Sequence, residues 1–308
     1  MSIISHQYKK QFVCRYDKEV GIPYYSFSDF KGLKQETYSF VNSINIEIKY
    51  FFYYYDNYRT DKIVLFLHGL GPGHTAYLKE IEFLAKAGYK VLTLDYMGCE
   101  ESQGKNMRSL NEPTRDVNDL LDYLKLDKPI VVVGHSLGGY TALNIINLRN
   151  EISKAVIMSG FLSIESLMKV FAKSKIIYKS VIKYEKKIEP DYFQISNLEY
   201  LKTTKDKIFF IQSDDDPMVP YSIALKEVEQ IDNPNIKTLR VTGKKHNPNY
   251  SLDAVNYMNE IFGQYNELLK KKKLRSDEDR INFFKDVSLT RLTEQDKDIV
   301  SAISEFIN

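Results

Sequence analysis

The sequence predicts an α/β fold, a doubly wound and mostly parallel sheet with helices on both faces. Short apolar segments rich in β-branched residues alternate with segments of helical periodicity along most of the 308-residue chain. Four of the apolar segments end in polar or glycine-rich clusters, which should meet at one edge because the carboxyl ends of parallel strands lie together. A hydrophobic content of 43% is enough for one sizeable core.

The predicted strands begin with a hairpin. Residues 37–41 and 44–55 alternate loosely and are rich in Ile, Tyr and Phe, and Asn42-Ser43 suits a turn between them. The later strands include short apolar runs of the kind found in buried strands, at residues 62–67 and 130–133. They are predicted over residues 62–67, 89–94, 130–133, 152–158, 207–212 and 236–241.

Helical spacing of apolar residues separates these strands. The helices are predicted over residues 76–87, 113–124, 222–231 and 252–269, and from Tyr140 onward. Gly88 suits the C-terminal end of the first helix, and Pro113 suits the first turn of the second. Right-handed crossovers then connect the parallel strands through the helices.

Two segments interrupt the alternation. Residues 161–205 carry apolar residues at helical spacing among many lysines, which predicts one or two amphipathic helices in a cap over the site, or else a plain surface excursion. Residues 274–308 are charged and helical in pattern, which predicts an appended helical pair. The expected organisation is an N-terminal extension over residues 1–36, a core over 37–273 that contains the cap, and a helical C-terminal extension.

Composition and charge narrow the class of protein. The formal net charge is +2, so no overall field attracts the chain to nucleic acid or to a membrane. Cys14 and Cys99 form no disulfide framework and fit a reducing compartment. Neither a signal-peptide core nor an apolar run of membrane-spanning length occurs, so a cytoplasmic protein without stable membrane insertion is expected. Metal-ligand spacing and a phosphate-binding glycine loop are also missing from the sequence, so no cofactor and no metal are expected.

The strongest motif lies between Ile130 and Gly139. Four apolar residues precede residues 134–138, which match Gly-x-Ser-x-Gly, and a helical pattern follows. A strand that turns sharply into a helix exposes the serine hydroxyl on a strained corner. The flanking glycines leave the room that so tight a turn requires. Ser136 is therefore the candidate nucleophile.

A serine hydroxyl is a weak nucleophile at neutral pH, so it needs a base and a carboxylate that orients the base. His246 is the best candidate base because it follows the strand over residues 236–241, in a loop between a glycine and a proline. The loop after the preceding strand offers three adjacent carboxylates, Asp214, Asp215 and Asp216. Asp216, directly before Pro217, is preferred, although three such carboxylates could also form a solvated or cation-binding loop.

A tetrahedral oxyanion needs two fixed hydrogen-bond donors. One candidate is the backbone N–H of Leu137, directly after the candidate nucleophile. The other is expected from the tight turn over residues 68–71, His-Gly-Leu-Gly, where the backbone N–H of Leu70 is the candidate. The glycines of this turn let the backbone approach a substrate.

Residues 37–265 together resemble the α/β-hydrolase superfamily. The motifs that carry the resemblance are the oxyanion turn at 68–71, the nucleophile elbow at 134–139, the acid loop at 216–220 and the base loop at 243–248. The order Ser, Asp, His along the chain is also the order expected on that fold. Residues 95–104 resemble the superfamily's Asp-x-x-Gly-x-Gly-x-Ser-x-Gly loop, but Glu100 stands where a glycine is usual. A carboxylate there could repel anionic substrates, but its side chain is by preference expected to face water.

The resemblance implies a serine hydrolase that cleaves a carboxylic ester of small to medium acyl chain through an acyl-enzyme. A peptidase, a thioesterase or an acyltransferase on the same residues stays open, as does a non-catalytic binding protein. The last is disfavoured because every catalytic residue type is present. The expected partner is a small-molecule acyl substrate and not nucleic acid. The cap lysines suit an anionic substrate or a solvated helix face. Lys270–Lys273 suit a weak anionic-lipid or nucleic-acid patch or, by preference, a helix C-terminus, where positive charge is favourable.

Overall fold

The computed structural model describes residues 6–8, 20–59, 61–71 and 73–308. Its centre is one sheet built from the strands β1 (Lys34–Val41), β2 (Glu47–Tyr54), β3 (Ile63–Leu67), β4 (Lys90–Leu94), β5 (Ile130–His135), β6 (Ile152–Met158), β7 (Lys207–Ser213) and β8 (Ile236–Val241). The spatial order is β1-β2-β4-β3-β5-β6-β7-β8. Strand β2 pairs antiparallel with β1 and β4, and the other neighbours are parallel. The predicted doubly wound, mostly parallel sheet is confirmed.

The helices occupy the intervals between the strands and the C-terminal region. They are α1 (Leu78–Lys86), α2 (Glu112–Leu124), α3 (Leu137–Leu148), α4 (Ile164–Phe171), α5 (Lys175–Ile188), α6 (Pro190–Phe193), α7 (Asn197–Thr203), α8 (Leu225–Val228), α9 (Leu252–Lys270), α10 (Asp277–Phe284), α11 (Leu289–Leu292) and α12 (Lys297–Ile307). Short 3-10 turns lie at Phe27–Asp29, His74–Tyr77 and Tyr221–Ile223. Within the described residues, every helix is too short or too polar to cross a bilayer.

The core consists of two apolar clusters. Strand β3 contributes to both, because successive side chains of a strand point to opposite faces. Ile63, Leu65 and Leu67 pack in one cluster, and Val64 and Phe66 pack in the other. Burial of both faces explains why β3 is a continuous apolar run in the sequence.

The predicted hairpin forms, but its connection is longer than a two-residue turn. Asn42 accepts hydrogen bonds through Oδ1 from the backbone N–H groups of Ile44 (3.2 Å) and Ile46 (2.9 Å). Asn45 adopts a positive φ of 62° within this loop. The side chain of Asn42 therefore organises the loop, and β2 begins at Glu47 instead of Ile44.

The helix predicted over residues 222–231 is wrong. Ala224 has φ −141° and ψ −97°, which interrupts helical geometry and leaves a 3-10 turn followed by the single turn of α8. The backbone N–H of Leu225 donates instead to Oε1 of the buried Gln212, at 3.0 Å. Because Gln212 lies in β7, periodicity within the segment could not reveal this contact.

The cap between β6 and β7 contains the four helices α4 to α7, more than the predicted one or two. Ser163 and Ser174 each begin a helix by accepting a backbone hydrogen bond through the side chain, and Pro190 begins α6. Glu185 of α5 anchors the cap on the core. Its buried carboxylate accepts hydrogen bonds from Ser109 Oγ (2.5 Å) and from the backbone N–H of Leu110 (3.3 Å).

The C-terminal region forms three helices, so the predicted helical pair is wrong in number. Ser288 and Asp296 each begin a new helix by accepting backbone hydrogen bonds through the side chain. The last helix, α12, is part of the core, since Ile299, Ile303 and Ile307 pack in the same cluster as Val64 and Phe66 of β3. The division of the chain at residue 273 stays a prediction, and Cys14 and part of the N-terminal extension lie outside the described residues.

Candidate active site

The turn that carries Ser136 is tight and strained. Strand β5 ends at the residue before Ser136 and α3 begins at the residue after it, three residues earlier than the predicted start at Tyr140. Ser136 has φ 57° and ψ −119°, in the region that L-residues rarely adopt. A Cβ on Gly138 would lie 2.0 Å from the carbonyl oxygen of Leu67. The glycine therefore lets α3 begin against the end of β3 and leaves the serine hydroxyl exposed to the cavity described below.

Three sequence-predicted side chains meet at this turn. The Nε2 atom of His246 lies 2.8 Å from Oγ of Ser136, and its Nδ1 atom lies 2.9 and 3.0 Å from the two carboxylate oxygens of Asp216. The Asp216 side chain is fully buried. Its Oδ1 also accepts from the backbone N–H groups of Met218 (2.8 Å) and Val219 (3.0 Å). A buried carboxylate held in this way fixes the plane of the imidazole and directs Nε2 at the hydroxyl.

The two other aspartates of the loop bind different partners. Asp214 accepts a hydrogen bond from Thr242 Oγ1 at 2.9 Å. Asp215 accepts from Ser213 Oγ at 2.5 Å and pairs with Lys245 Nζ at 2.9 Å. Although partial burial raises the pKa of Asp215, the hydrogen bonds from Ser213 and Lys245 outweigh it and lower that pKa to about 2. The structure therefore separates three carboxylates that are adjacent in the sequence.

The two candidate oxyanion donors line the same cavity as Ser136, the candidate nucleophile. Leu70 and Leu137 both belong to its wall, together with Ser136 and His246. A Cβ on Gly69 would lie 3.2 Å from Cβ of Ser136, so the turn that precedes Leu70 runs directly beside the serine. Both backbone segments are thus near the place where an oxyanion would develop.

The ring of His135 has a role that the motif did not reveal. Its Nε2 atom lies 2.7 Å from the carbonyl oxygen of His246, and its Nδ1 atom lies 2.9 Å from the hydroxyl of Tyr77. Because a carbonyl only accepts, Nε2 carries the hydrogen, and Nδ1 accepts from Tyr77. Burial and the neighbouring His246 ring lower the pKa of His135 to about 3, so the ring is neutral.

Tyr77 continues this chain to the oxyanion turn, since its hydroxyl also hydrogen-bonds to the backbone of Gly69. Tyr77 and His135 therefore connect the turn over residues 68–71, the turn that carries Ser136 and the backbone of His246, the candidate base. The signal in the sequence was His135 beside Ser136, but its partner Tyr77 is 58 residues away. No local pattern could have paired them.

The expectation that Glu100 faces water is wrong. Its carboxylate turns inward, lies 3.3 Å from Nδ1 of His74 and accepts a hydrogen bond from Thr75 Oγ1. Burial, and then the nearby charge of Asp95, raise the pKa of Glu100 to about 7. The inward turn has room because Gly73 has no side chain, and a Cβ there would lie 3.0 Å from Cγ of Glu100.

Within the described residues, the candidate metal-ligand cluster is His74, Asp95 and Glu100, whose donor atoms lie within 4.8 Å of one another. The His74 ring already has partners on both nitrogens. Nδ1 lies 2.7 Å from Asp95 Oδ1, and Nε2 lies 2.7 Å from the Tyr53 hydroxyl. The cluster therefore forms a hydrogen-bonded support under the loop that follows the oxyanion turn.

A cavity of about 760 Å³ opens over Ser136. Its wall is mostly apolar and is formed by the core and by the cap, including Leu110, Phe161, Leu167, Met168 and Val181. Among the described residues that line it, Lys173 is the only one of the types Lys, Arg, Asp and Glu. This part of the wall therefore contains no carboxylate. Such a cavity favours an apolar group beside the serine.

Fold and geometry together match a known class. The eight-stranded, mostly parallel sheet has the α/β-hydrolase fold, and the proteins of this fold to which the chain is similar are hydrolases. The chain belongs to the family described as "Serine aminopeptidase, S33", which matches residues 58–231, more than half of its length.

Similar proteins are hydrolases of the same fold. The chain is 30% identical over 179 residues to the lysophosphatidylserine lipase ABHD12 of Bos taurus, covering 53% of this chain and 44% of that one. It is 26% identical over 148 residues to the probable esterase PIR7A of Oryza sativa subsp. indica, covering 47% and 53%. The chain thus spans about half the length of these curated relatives. An esterase structure from Pyrococcus furiosus superposes with a TM-score of 0.58 at 23% identity, covering 84% of this chain and 98% of that one.

Proposed function

We propose that this protein is a serine hydrolase that cleaves carboxylic esters, with Ser136 as nucleophile, His246 as base and Asp216 as the carboxylate that orients the base. The observation that carries the proposal is the 2.8 Å distance between His246 Nε2 and Ser136 Oγ, with Nδ1 held by both oxygens of Asp216. Nucleophile, base and orienting group within hydrogen-bond reach are the arrangement that activates a serine hydroxyl.

The geometry supports acyl transfer in two stages. Ser136 Oγ attacks the ester carbonyl carbon while His246 Nε2 takes the hydroxyl proton, and the backbone N–H groups of Leu70 and Leu137 stabilise the oxyanion. The imidazolium then gives its proton to the leaving alcohol, which leaves an acyl group on the serine. Water, deprotonated by His246, attacks the acyl-enzyme, and the carboxylic acid leaves as the serine regains its proton. The buried charge of Asp216 stabilises the imidazolium at both stages.

The cavity wall favours an ester with an apolar acyl group over the amino terminus of a peptide. An aminopeptidase must bind a substrate ammonium, which is costly to bury without a carboxylate partner. The described part of the wall contains Lys173 and no carboxylate, so it repels a cation. The named activities of the relatives, a lipase and a probable esterase, agree with this preference.

A fluorophosphonate probe together with p-nitrophenyl esters tests the proposal. The probe should label Ser136, and Ser136→Ala should abolish labelling and lower kcat by several orders of magnitude. Ser301→Ala, at an exposed position of α12, is the matched control. It should keep both the labelling by the probe and the kcat of the parent. Unchanged ester hydrolysis by Ser136→Ala would contradict the assignment. A panel of esters, thioesters and aminoacyl anilides of equal acyl size decides the leaving group, with esters expected to be turned over best.

A further inference from the structure

Exposed apolar side chains surround the mouth of the cavity. Leu70, Phe171 and Met218 are 44%, 47% and 58% exposed, and all three also line the cavity. They come from three separate segments, the oxyanion turn, the cap and the acid loop. On the cap, Val170 and Ile176 extend this patch, with 46% and 74% of their surface exposed. We call these five residues the rim patch. Single exposed apolar residues are ordinary, but convergence at a cavity mouth marks an interaction surface.

The cap places positive charge beside the rim patch. Residues 166–184 contain five lysines and no aspartate or glutamate, and the lysines are Lys169, Lys173, Lys175, Lys179 and Lys183. All five are exposed. The formal charge of +5 on this short segment exceeds the +2 of the whole chain, so the remainder of the protein is net negative. This segment of the cap, which lies between Glu165 and Glu185, therefore carries a local excess of positive charge.

We propose that the rim patch and the cap lysines dock on an anionic lipid bilayer, from which the ester substrate enters the cavity. This inference rests on the proposed function and names the source of its substrate. Apolar side chains enter the boundary between headgroups and acyl chains, while lysine side chains extend their ammonium groups to the lipid phosphates. Each lysine near an anionic surface adds to the attraction, and salt weakens it.

The interleaving of the two residue types argues for a bilayer. A nucleic acid would neutralise the lysines but would leave Val170 and Ile176 without an apolar partner. A bilayer offers phosphates to the lysines and apolar chains to Val170 and Ile176. It also covers Phe171 and Met218 at the cavity mouth. An acyl ester could then pass from the lipid into an apolar cavity without crossing water, which avoids the cost of hydrating its chain.

Two variants separate the contributions without changing residues that line the cavity. Val170→Ser with Ile176→Ser removes apolar surface, and its control removes exposed apolar residues elsewhere, Val41→Ser with Ile281→Ser. The charge variant combines Lys169→Gln, Lys175→Gln and Lys179→Gln. Its control removes equal charge from the C-terminal end of α9 and the loop after it, with Lys270→Gln, Lys272→Gln and Lys273→Gln.

Vesicle binding is measured with variants that also carry Ser136→Ala, so that no ester is hydrolysed during the measurement. Sedimentation with vesicles of phosphatidylcholine alone is compared with vesicles that also contain phosphatidylserine. The charge variant should bind the anionic vesicles roughly 100-fold more weakly, and the apolar variant roughly tenfold more weakly. Both controls should bind like the parent, and added salt should weaken parent binding.

Hydrolysis of a soluble ester, compared with hydrolysis of an ester in vesicles, tests the docking surface separately from the proposed function. With an intact Ser136, all four variants should hydrolyse a soluble p-nitrophenyl ester like the parent, while the two cap variants should lose hydrolysis of an ester carried in anionic vesicles. Parent chain that does not bind phosphatidylserine vesicles yet hydrolyses the soluble ester overturns the docking surface and leaves the proposed function standing. Equal losses in a control variant also overturn it. Binding that depends on the lysines alone, and that single-stranded RNA competes away, assigns the surface to nucleic acid instead.

Discussion

The Nε2 atom of His135 lies 2.7 Å from the backbone carbonyl oxygen of His246. The residue before the proposed nucleophile thus holds the backbone of the proposed base, and Tyr77 holds the other side of the same ring at 2.9 Å. Both contacts hold together segments that are distant in the sequence and that carry the proposed nucleophile and base. A contact of this kind should influence kcat more than substrate binding, because alignment matters most in the transition state.

Tyr77→Phe is expected to lower kcat about tenfold with little change in KM. The change removes the hydrogen donor to His135 Nδ1 and leaves that buried atom unpaired, which costs about 1–3 kcal/mol of stability. Steady-state kinetics and thermal unfolding measure the two effects. His135→Gln can still donate to the His246 carbonyl, so it should keep more activity than His135→Ala. Equal activity of these two variants would contradict the positioning role.

Asp216→Asn should lower kcat by several orders of magnitude, because the amide cannot stabilise the imidazolium and favours the wrong tautomer of His246. Asp215→Asn is the matched control in the adjacent position, since its carboxylate pairs with Lys245 instead. We expect that control to keep kcat within about threefold. The kcat for ester hydrolysis, measured with both purified variants, tests this prediction. The reverse order of losses would assign the orienting role to Asp215.

Glu185→Gln should change how stability depends on pH. Burial raises the pKa of Glu185 from 4.5 to about 7, so between these values the folded chain holds a proton that the unfolded chain releases. The contribution of this group to stability therefore falls as pH rises through that window, to a cost of roughly 3 kcal/mol above it. The amide keeps the hydrogen-bonding positions without that cost.

The measurement is the free energy of unfolding from urea titrations at about pH 5 and about pH 8. Relative to the parent, Glu185→Gln should gain stability on going to the higher pH. Glu305→Gln, an exposed position on α12, is the control and should follow the parent at both pH values. Parallel behaviour of Glu185→Gln and the parent would mean that the cap anchor does not hold a proton near neutral pH.

Gly73→Ala should destabilise the loop beneath the oxyanion turn. Gly73 has φ +154°, which disfavours side chains, and a Cβ there would lie 2.6 Å from Asp95 Oδ1. We expect a loss of about 1–3 kcal/mol. Gly71→Ala is the matched control, because a Cβ at Gly71 has no neighbour within 4 Å. Differential scanning calorimetry compares the two, and similar melting temperatures would show that the loop adapts.

Local pattern was sufficient wherever the deciding contacts lie within one segment. The strand over Ile152–Met158 and that over Ile236–Val241 were predicted to the residue, because the first ends in a buried apolar run and the second is rich in the β-branched residues that favour strands. The turn at Ser136 was recognisable because its glycines and its serine are neighbours in the chain. The prediction of an element is wrong where a side chain from a distant segment forms the deciding contact. One example is Leu225, whose backbone N–H donates to Gln212.

By itself, the sequence determined the alternation of strands and helices, the position of the strained serine and the short set of residues able to serve it. Only the tertiary structure decided that Asp216 faces His246 while Asp215 faces Lys245. It also decided that Glu100 turns inward and that α12 completes the core. The physical reason is the range of the forces. Periodicity and turn chemistry act over a few residues, whereas burial and ion pairing depend on neighbours that only folding brings together.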